Sequence, residues 1–134
     1  MSYQSADEAE AAFYAAFAAC DIDAMRAVWG SDDVMCLHPG AIPLLSHESV
    51  MRSWEGIFTN AEKPALNVNV IRKVSGEDMA VHLVEEQLGP AGGSAAAAIV
   101  LATNVYRRSD TGWLLISHQG VLMNAASKSH STLQ

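Results

Sequence analysis

Val34-Met35-Cys36-Leu37-His38-Pro39-Gly40 separates two halves of the chain with different periodicities. Ahead of it apolar residues recur at helical spacing. Behind it, after one further helix, they recur every second residue. Read at period two, Val34, Cys36 and His38 lie on one side of a strand and Met35 and Leu37 on the other. Pro39 cannot donate to a ladder and Gly40 frees the turn, so the strand ends at His38. An imidazole at the last position held by regular structure is a candidate site group, since sites gather where the chain leaves a sheet.

Upstream, Ser5-Ala6-Asp7-Glu8 has the form of a capping box, and the stripe Ala9, Ala12, Phe13, Ala16, Phe17, Cys20 follows with one buried helical face. Tyr14 is one residue, or about 100°, round from Phe13 and is expected on a half-exposed flank. Asp21 can cap a second helix bearing Ile22, Met25, Val28 and Trp29, with Gly30 at the position that ends helices. Downstream of the strand, Ser46 precedes a third helix whose stripe is Val50, Met51, Trp54, Ile57 and Phe58.

From Leu66 the period changes to two, giving strands over Leu66 to Val74, Met79 to Leu88, Ala96 to Arg107 and Trp113 to Met123. The breakers Ser75-Gly76-Glu77-Asp78, Gly89-Pro90-Ala91-Gly92-Gly93 and Ser109-Asp110-Thr111-Gly112 suit antiparallel hairpins. Pairing Arg108 with Trp113 sets Tyr106 opposite Leu115, Asn104 opposite Ser117 and Ala102 opposite Gln119 on one face. His118 then falls on the other face with Val105 and Ile116, and a one-residue slip would turn it inward beside Asn104.

Both faces of this meander are largely apolar, whereas a sheet with one wet face alternates cleanly. Three helices can cover one face and a second copy of the chain the other, so a homodimer through the outer sheet face is expected. The composition, 50% apolar and 17% charged, agrees with a covered surface. The 134 residues make a single domain, 1–134, with a polar tail over 124–134 that is loosely ordered or lies across a partner.

The net charge of -7 argues against nucleic acid or an anionic membrane surface as partner. The apolar runs Ala11 to Cys20 and Ala95 to Ala102 are too short to cross a bilayer, and Met1 to Glu10 lacks a signal-peptide pattern, so a cytoplasmic location is expected. Cys20 and Cys36 match no zinc or redox spacing and read as buried free thiols. The five histidines show no pairing with carboxylates suited to a metal, and no cofactor is expected.

The order of elements resembles the cone-shaped α+β fold of the nuclear transport factor 2-like, or cystatin-like, superfamily, in which a curved antiparallel sheet packs on three N-terminal helices. The stretches Asp33-Val34 through His38-Pro39-Gly40, Val50 through Ser53-Trp54 to Ile57-Phe58, Ala102-Thr103-Asn104-Val105-Tyr106-Arg107-Arg108 and Gly112-Trp113 through His118 together resemble SnoaL-like proteins of that superfamily. The likeness covers residues 5 to 123. The superfamily includes isomerases, dehydratases, cyclases, epoxide hydrolases, transport adaptors and self-association domains, so it implies a fold and not a reaction. Beside ketosteroid isomerase, the position of the carboxylate base falls on His38 and that of the oxyanion tyrosine on Phe13. Asn104 is the nearest polar residue to the third catalytic position.

Two classes of function follow. In the first, an apolar hollow walled by Phe17, Trp29, Trp54, Phe58 and Tyr106 holds a small apolar or cyclic molecule. His38 serves there as acid or base in an isomerase, lyase or hydrolase reaction, with Asn104 as second catalytic group. Cys36, Gln119 and Glu85 complete the ligand-facing set, and the sequence leaves open which of the adjacent Glu85 and Glu86 turns inward. A histidine bonded only to its own turn is the alternative for His38. In the second class the hollow is filled by its own side chains and the chain is a self-association module.

Overall fold

The computed structural model describes residues 2–60, 62–89 and 98–123. The expected breaker and strand start over 90–97 and the polar tail over 124–134 lie outside the described residues. Helix α1 (Ala6–Ala19) begins where Ser5 Oγ accepts the Glu8 N–H at 3.1 Å. Glu8 Oε1 reaches back to the Gln4 N–H at 2.8 Å, one residue beyond the usual partner in a capping box. Cys20 ends the helix in the left-handed region at φ 53°, and Asp21 at once caps α2 (Ile22–Val28) by accepting the Ala24 N–H. Helix α2 stops at Trp29. Gly30 has a different task from closing the helix: its N–H donates to Leu115 O at 2.8 Å, and a Cβ there would lie 3.3 Å from Ile116.

Strand β1 (Met35–Leu37), α3 (His47–Asn60), β2 (Ala65–Ser75), β3 (Met79–Gly89), β4 (Ala98–Ser109) and β5 (Gly112–Met123) complete the chain. The sheet order is β1-β5-β4-β3-β2, with β1 parallel to β5 and the other pairs antiparallel. The fold is therefore α+β, three helices packed on a five-stranded curved sheet. The turn after β1 has Pro39 second and Gly40 third at φ 74°, and the Ala41 N–H closes it on His38 O at 3.0 Å. Gly120 makes room for that turn, since a Cβ on it would meet Val100 at 3.1 Å and Pro39 at 3.4 Å.

The last hairpin departs from the regular register. Arg108 pairs with Trp113 and Tyr106 with Leu115 as the turn dictates, but beyond them Val105 pairs with Ser117, Asn104 with His118 and Ala102 with Gly120. Ile116 is the extra residue of a β-bulge, and both Leu115 and Ile116 are buried, the latter under Gly30. Everything after Ile116 is turned to the face opposite the one that simple alternation assigns. The inner face consequently receives His118 and Gly120 in place of Ser117 and Gln119.

Phe13 is the hub of the core. Its ring lies 4.7 Å from Tyr14, 5.2 Å from His118, 5.7 Å from Trp54 and 6.4 Å from Trp29, centroid to centroid. Val50, Met51 and Trp54 bury the stripe of α3, Phe58 is half-buried, and Ile57, expected in that stripe, is exposed on the flank. On the outer face Val74, Met79, Val81 and Val121 remain exposed. Replacing Phe13 by Ala removes the ring that joins α1, α2, α3 and β5, and should cost about 3–5 kcal/mol in urea denaturation. A loss below about 1 kcal/mol would contradict its place at the centre.

Candidate functional site

The burial of α1 is broader than its apolar stripe. Glu10 and Tyr14, four residues apart on one line of the helix, are both buried against the sheet. Tyr14 is 8% exposed, not a half-exposed flank residue. Its Oη donates to Glu86 Oε2 at 2.7 Å and accepts from Asn104 Nδ2 at 2.8 Å. Asn104 Oδ1 in turn accepts from His118 Nδ1 at 2.6 Å. One hydrogen-bonded chain thus crosses the inner face from β3 through α1 and β4 to β5. The direction of its bonds fixes His118 as the tautomer protonated on Nδ1, with Nε2 left as an acceptor.

His38 stands beside the far end of this chain. Its half-buried ring lies 5.0 Å from Trp54 and 6.2 Å from His118, and its Nε2 is 3.5 Å from Cys36 Sγ. Phe17 packs on Trp54 at 5.0 Å and Phe58 on Trp54 at 5.6 Å, so three of the expected aromatic walls meet there.

The other expected members separate. Tyr106 is buried but belongs to a second cluster, where its Oη donates to Glu10 Oε2 at 3.2 Å and His82 Nδ1 lies 2.9 Å from the same oxygen. Trp29 is buried against Phe13 and bridges to Leu115, away from His38. Gln119 is exposed, because the bulge at Ile116 gives its inward place to His118 and Gly120. Glu85 is half-buried on the outer face, where it pairs with Leu101; Glu86, opposite Val100 and Val68, is the carboxylate that turns in. His118 is likewise an inner residue.

Desolvation governs the charges of the site. Burial pushes the Glu86 carboxyl up to about 7, with the Tyr14 hydrogen bond drawing it partway back. Burial holds His118 down at about 3, helped by the neighbouring His38, and also lowers His38. Burial and then the charge of Glu86 push the Tyr14 phenol far up and the Cys36 thiol up to about 12, so neither ionises near neutral pH. Within the chain Glu86–Tyr14–Asn104–His118, Glu86 is the group whose proton exchanges nearest neutrality. Among the described residues no group of three His, Cys, Asp or Glu is placed to hold a metal ion, and no helix is long and apolar enough to cross a membrane.

The sequence profile of the SnoaL-like domain matches residues 7–124. The chain belongs to the SnoaL-like family. Among solved structures, this SnoaL-like protein superposes with a TM-score of 0.88 and 36% identity on a candidate calcium/calmodulin-dependent protein kinase type II association domain from Thiobacillus denitrificans, over 92% of this chain and 99% of that one. A candidate dehydratase of the NTF2-like family from Streptomyces avermitilis has a TM-score of 0.77 and 30% identity, over 87% and 92% of the two chains. A ketosteroid isomerase-like protein from Erwinia carotovora atroseptica, 16% identical with a TM-score of 0.74 over 88% and 93%, shares the fold. No curated protein matches. The family includes isomerases and ligand-binding proteins. In this SnoaL-like chain the hydroxyl that reaches the inner face is that of Tyr14, the residue after Phe13.

The Glu86 carboxyl gives a stability signature. Its folded value, about 7, lies above the reference 4.5, so the folded state retains a proton that the unfolded state has lost. The contribution is complete below about 4.5 and is lost as pH rises through about 7. Glu86→Gln removes this loss. Relative to the parent, the variant should gain about 2 to 3 kcal/mol between pH 5 and pH 8 in denaturant titrations. Parallel pH profiles for the two proteins would show that the carboxyl is not desolvated.

Proposed function

We propose that this protein binds a small, largely apolar cyclic molecule over the inner face of the sheet and moves a proton on it, as an isomerase, lyase or hydrolase does. The observation that carries this reading is the buried chain Glu86–Tyr14–Asn104–His118, which holds a carboxyl near neutrality beside a phenol hydrogen that it shares. In this reading Glu86 is the base or acid and the Tyr14 hydroxyl supports it. His38, neutral and in contact with Trp54, is the second proton-transfer group at the other end. Asn104, buried between Tyr14 and His118, orients both and is a positioning residue. Phe17, Trp54 and Phe58 supply the apolar contact. Cys36 holds His38 from behind as a protonated thiol.

A thermal-shift screen of cyclic ketones and lactones tests binding, because a ligand at a hundred times its Kd adds about 2.7 kcal/mol to apparent stability. Turnover of the hits should fall by about 10²–10⁴ in Glu86→Gln and in His38→Ala. Variants that turn over every hit as the parent does would remove the catalytic reading.

Self-association through the outer face is proposed alongside. It is supported by the exposed Val74, Met79, Val81 and Val121 on that face, and by the similarity to a chain described as a candidate association domain. Sedimentation velocity should find a dimer for the parent and a monomer for the double variant Val81→Lys, Val121→Lys. A monomeric parent would end this part of the reading.

A further inference from the structure

The charge inventory of the inner face narrows the ligand class. Every Lys and Arg among the described residues lies outside the buried set, whose polar members are Glu10, His82, Glu86, Asn104 and His118. Arg107, the least exposed of these cations, is engaged at the sheet edge by Asp32 O and Asp33. A carboxylate or phosphate ligand would therefore enter a desolvated site with no cation among the described residues to meet it, and beside a carboxyl group.

Glu86 presents the opposite case. It is 2% exposed, and among the described residues its single hydrogen bond is from Tyr14 to Oε2, leaving Oε1 without a donor. Rings continue from its partner: Tyr14 stacks on Phe17 at 6.4 Å and 19°, and Phe17 packs edge-on against Trp54 at 5.0 Å. Aromatic faces and one desolvated carboxylate are the two elements that recognise an organic ammonium.

Resting on the reading that the inner face is a ligand site, we infer that its ligand is an organic amine, a protonated nitrogen on a small cyclic or aromatic body, with the Glu86 carboxylate as its counter-ion and Tyr14, Phe17 and Trp54 as its aromatic wall. Oε2 stays bonded to Tyr14, and Oε1 accepts the ammonium N–H. Binding then draws Glu86 into its ionised form. Of the groups facing it, Tyr14 on α1, Tyr106 on β4, His118 on β5 and the Cys36 thiol on β1 stay neutral between pH 6 and 8, Asn104 carries no titrating group, and burial lowers His38 at the end of β1. Glu10 and His82 lie beyond Tyr106, bonded to it and to each other.

Three probes of one size separate the possibilities: benzylammonium, benzyl alcohol and benzoate, titrated calorimetrically into the full chain at pH 6 and pH 8. Benzylammonium, charged at both, should bind at least about tenfold tighter than benzyl alcohol at pH 8 and weaken about tenfold at pH 6 as Glu86 takes up its proton. Benzoate should not bind. Glu86→Gln should abolish the preference, and the pH dependence of the parent stands as a test even if that variant folds poorly. Equal affinity for the alcohol, binding of benzoate, or an ammonium affinity that is flat or rises towards pH 6 would overturn the assignment. If benzylammonium fails while a cyclic ketone or lactone binds, the amine class falls and the site reading stands; if nothing in either set binds, both fall.

Discussion

Tyr14 gives its phenolic hydrogen to Glu86 and takes one from Asn104, and the seating of α1 on the sheet depends on that exchange. A buried carboxyl costs several kcal/mol unless something answers it, and so does a buried carboxamide. The sheet supplies Glu86, Asn104 and His118 from three adjacent strands, but none of them satisfies the set alone. The phenol arrives from the helix at the one point where it meets both Glu86 and Asn104. Phe13, the residue before it, then brings its ring against Trp29, Trp54 and His118. The polar contact and the apolar hub are neighbours on one turn of helix, so neither can move without the other.

The bulge at Ile116 has as much consequence for the inner face. It lets two successive apolar side chains, Leu115 and Ile116, enter the core where α2 meets the sheet, and Gly30 offers the space for the second. Past that point the alternation is inverted, and the imidazole of His118 comes to rest on Asn104. An inner-face histidine is thus delivered by a packing irregularity that lies four residue pairs along the ladder from the turn.

Much of the architecture could be read from spacing. Capping at Ser5 and Asp21, the Pro39-Gly40 stop and the Gly112 turn set off the helices and strands to within one or two residues, because each is a local rule about dihedrals or unpaired N–H groups. The inner face was less legible. Alternation tells residues of opposite parity apart but not which parity is inside when both faces are apolar, and so Glu85 and Glu86 were indistinguishable. An added residue in β5 leaves no mark in composition, which moved Gln119 out and His118 in. Tyr14 sits one position off the apolar stripe. A clue did exist, since Glu10 and Tyr14 share a helical line with a full turn between them, and a line of polar-tipped residues flanking a buried stripe suits a polar inner wall.

Glu10 meets His82 and Tyr14 meets Glu86 with the same separation of 72 positions in each case, so α1 and β3 advance in the same sense along the chain. That repeated offset acts as a key. Sliding the helix one turn, about 5.4 Å, along its axis would bring the Glu10 carboxylate to the place of the phenol, opposite Glu86. Two acids would then confront each other in a desolvated compartment, where both cannot keep their charge. Misregistered packing of this helix is therefore penalised electrostatically, by the same residues that reward the native alignment.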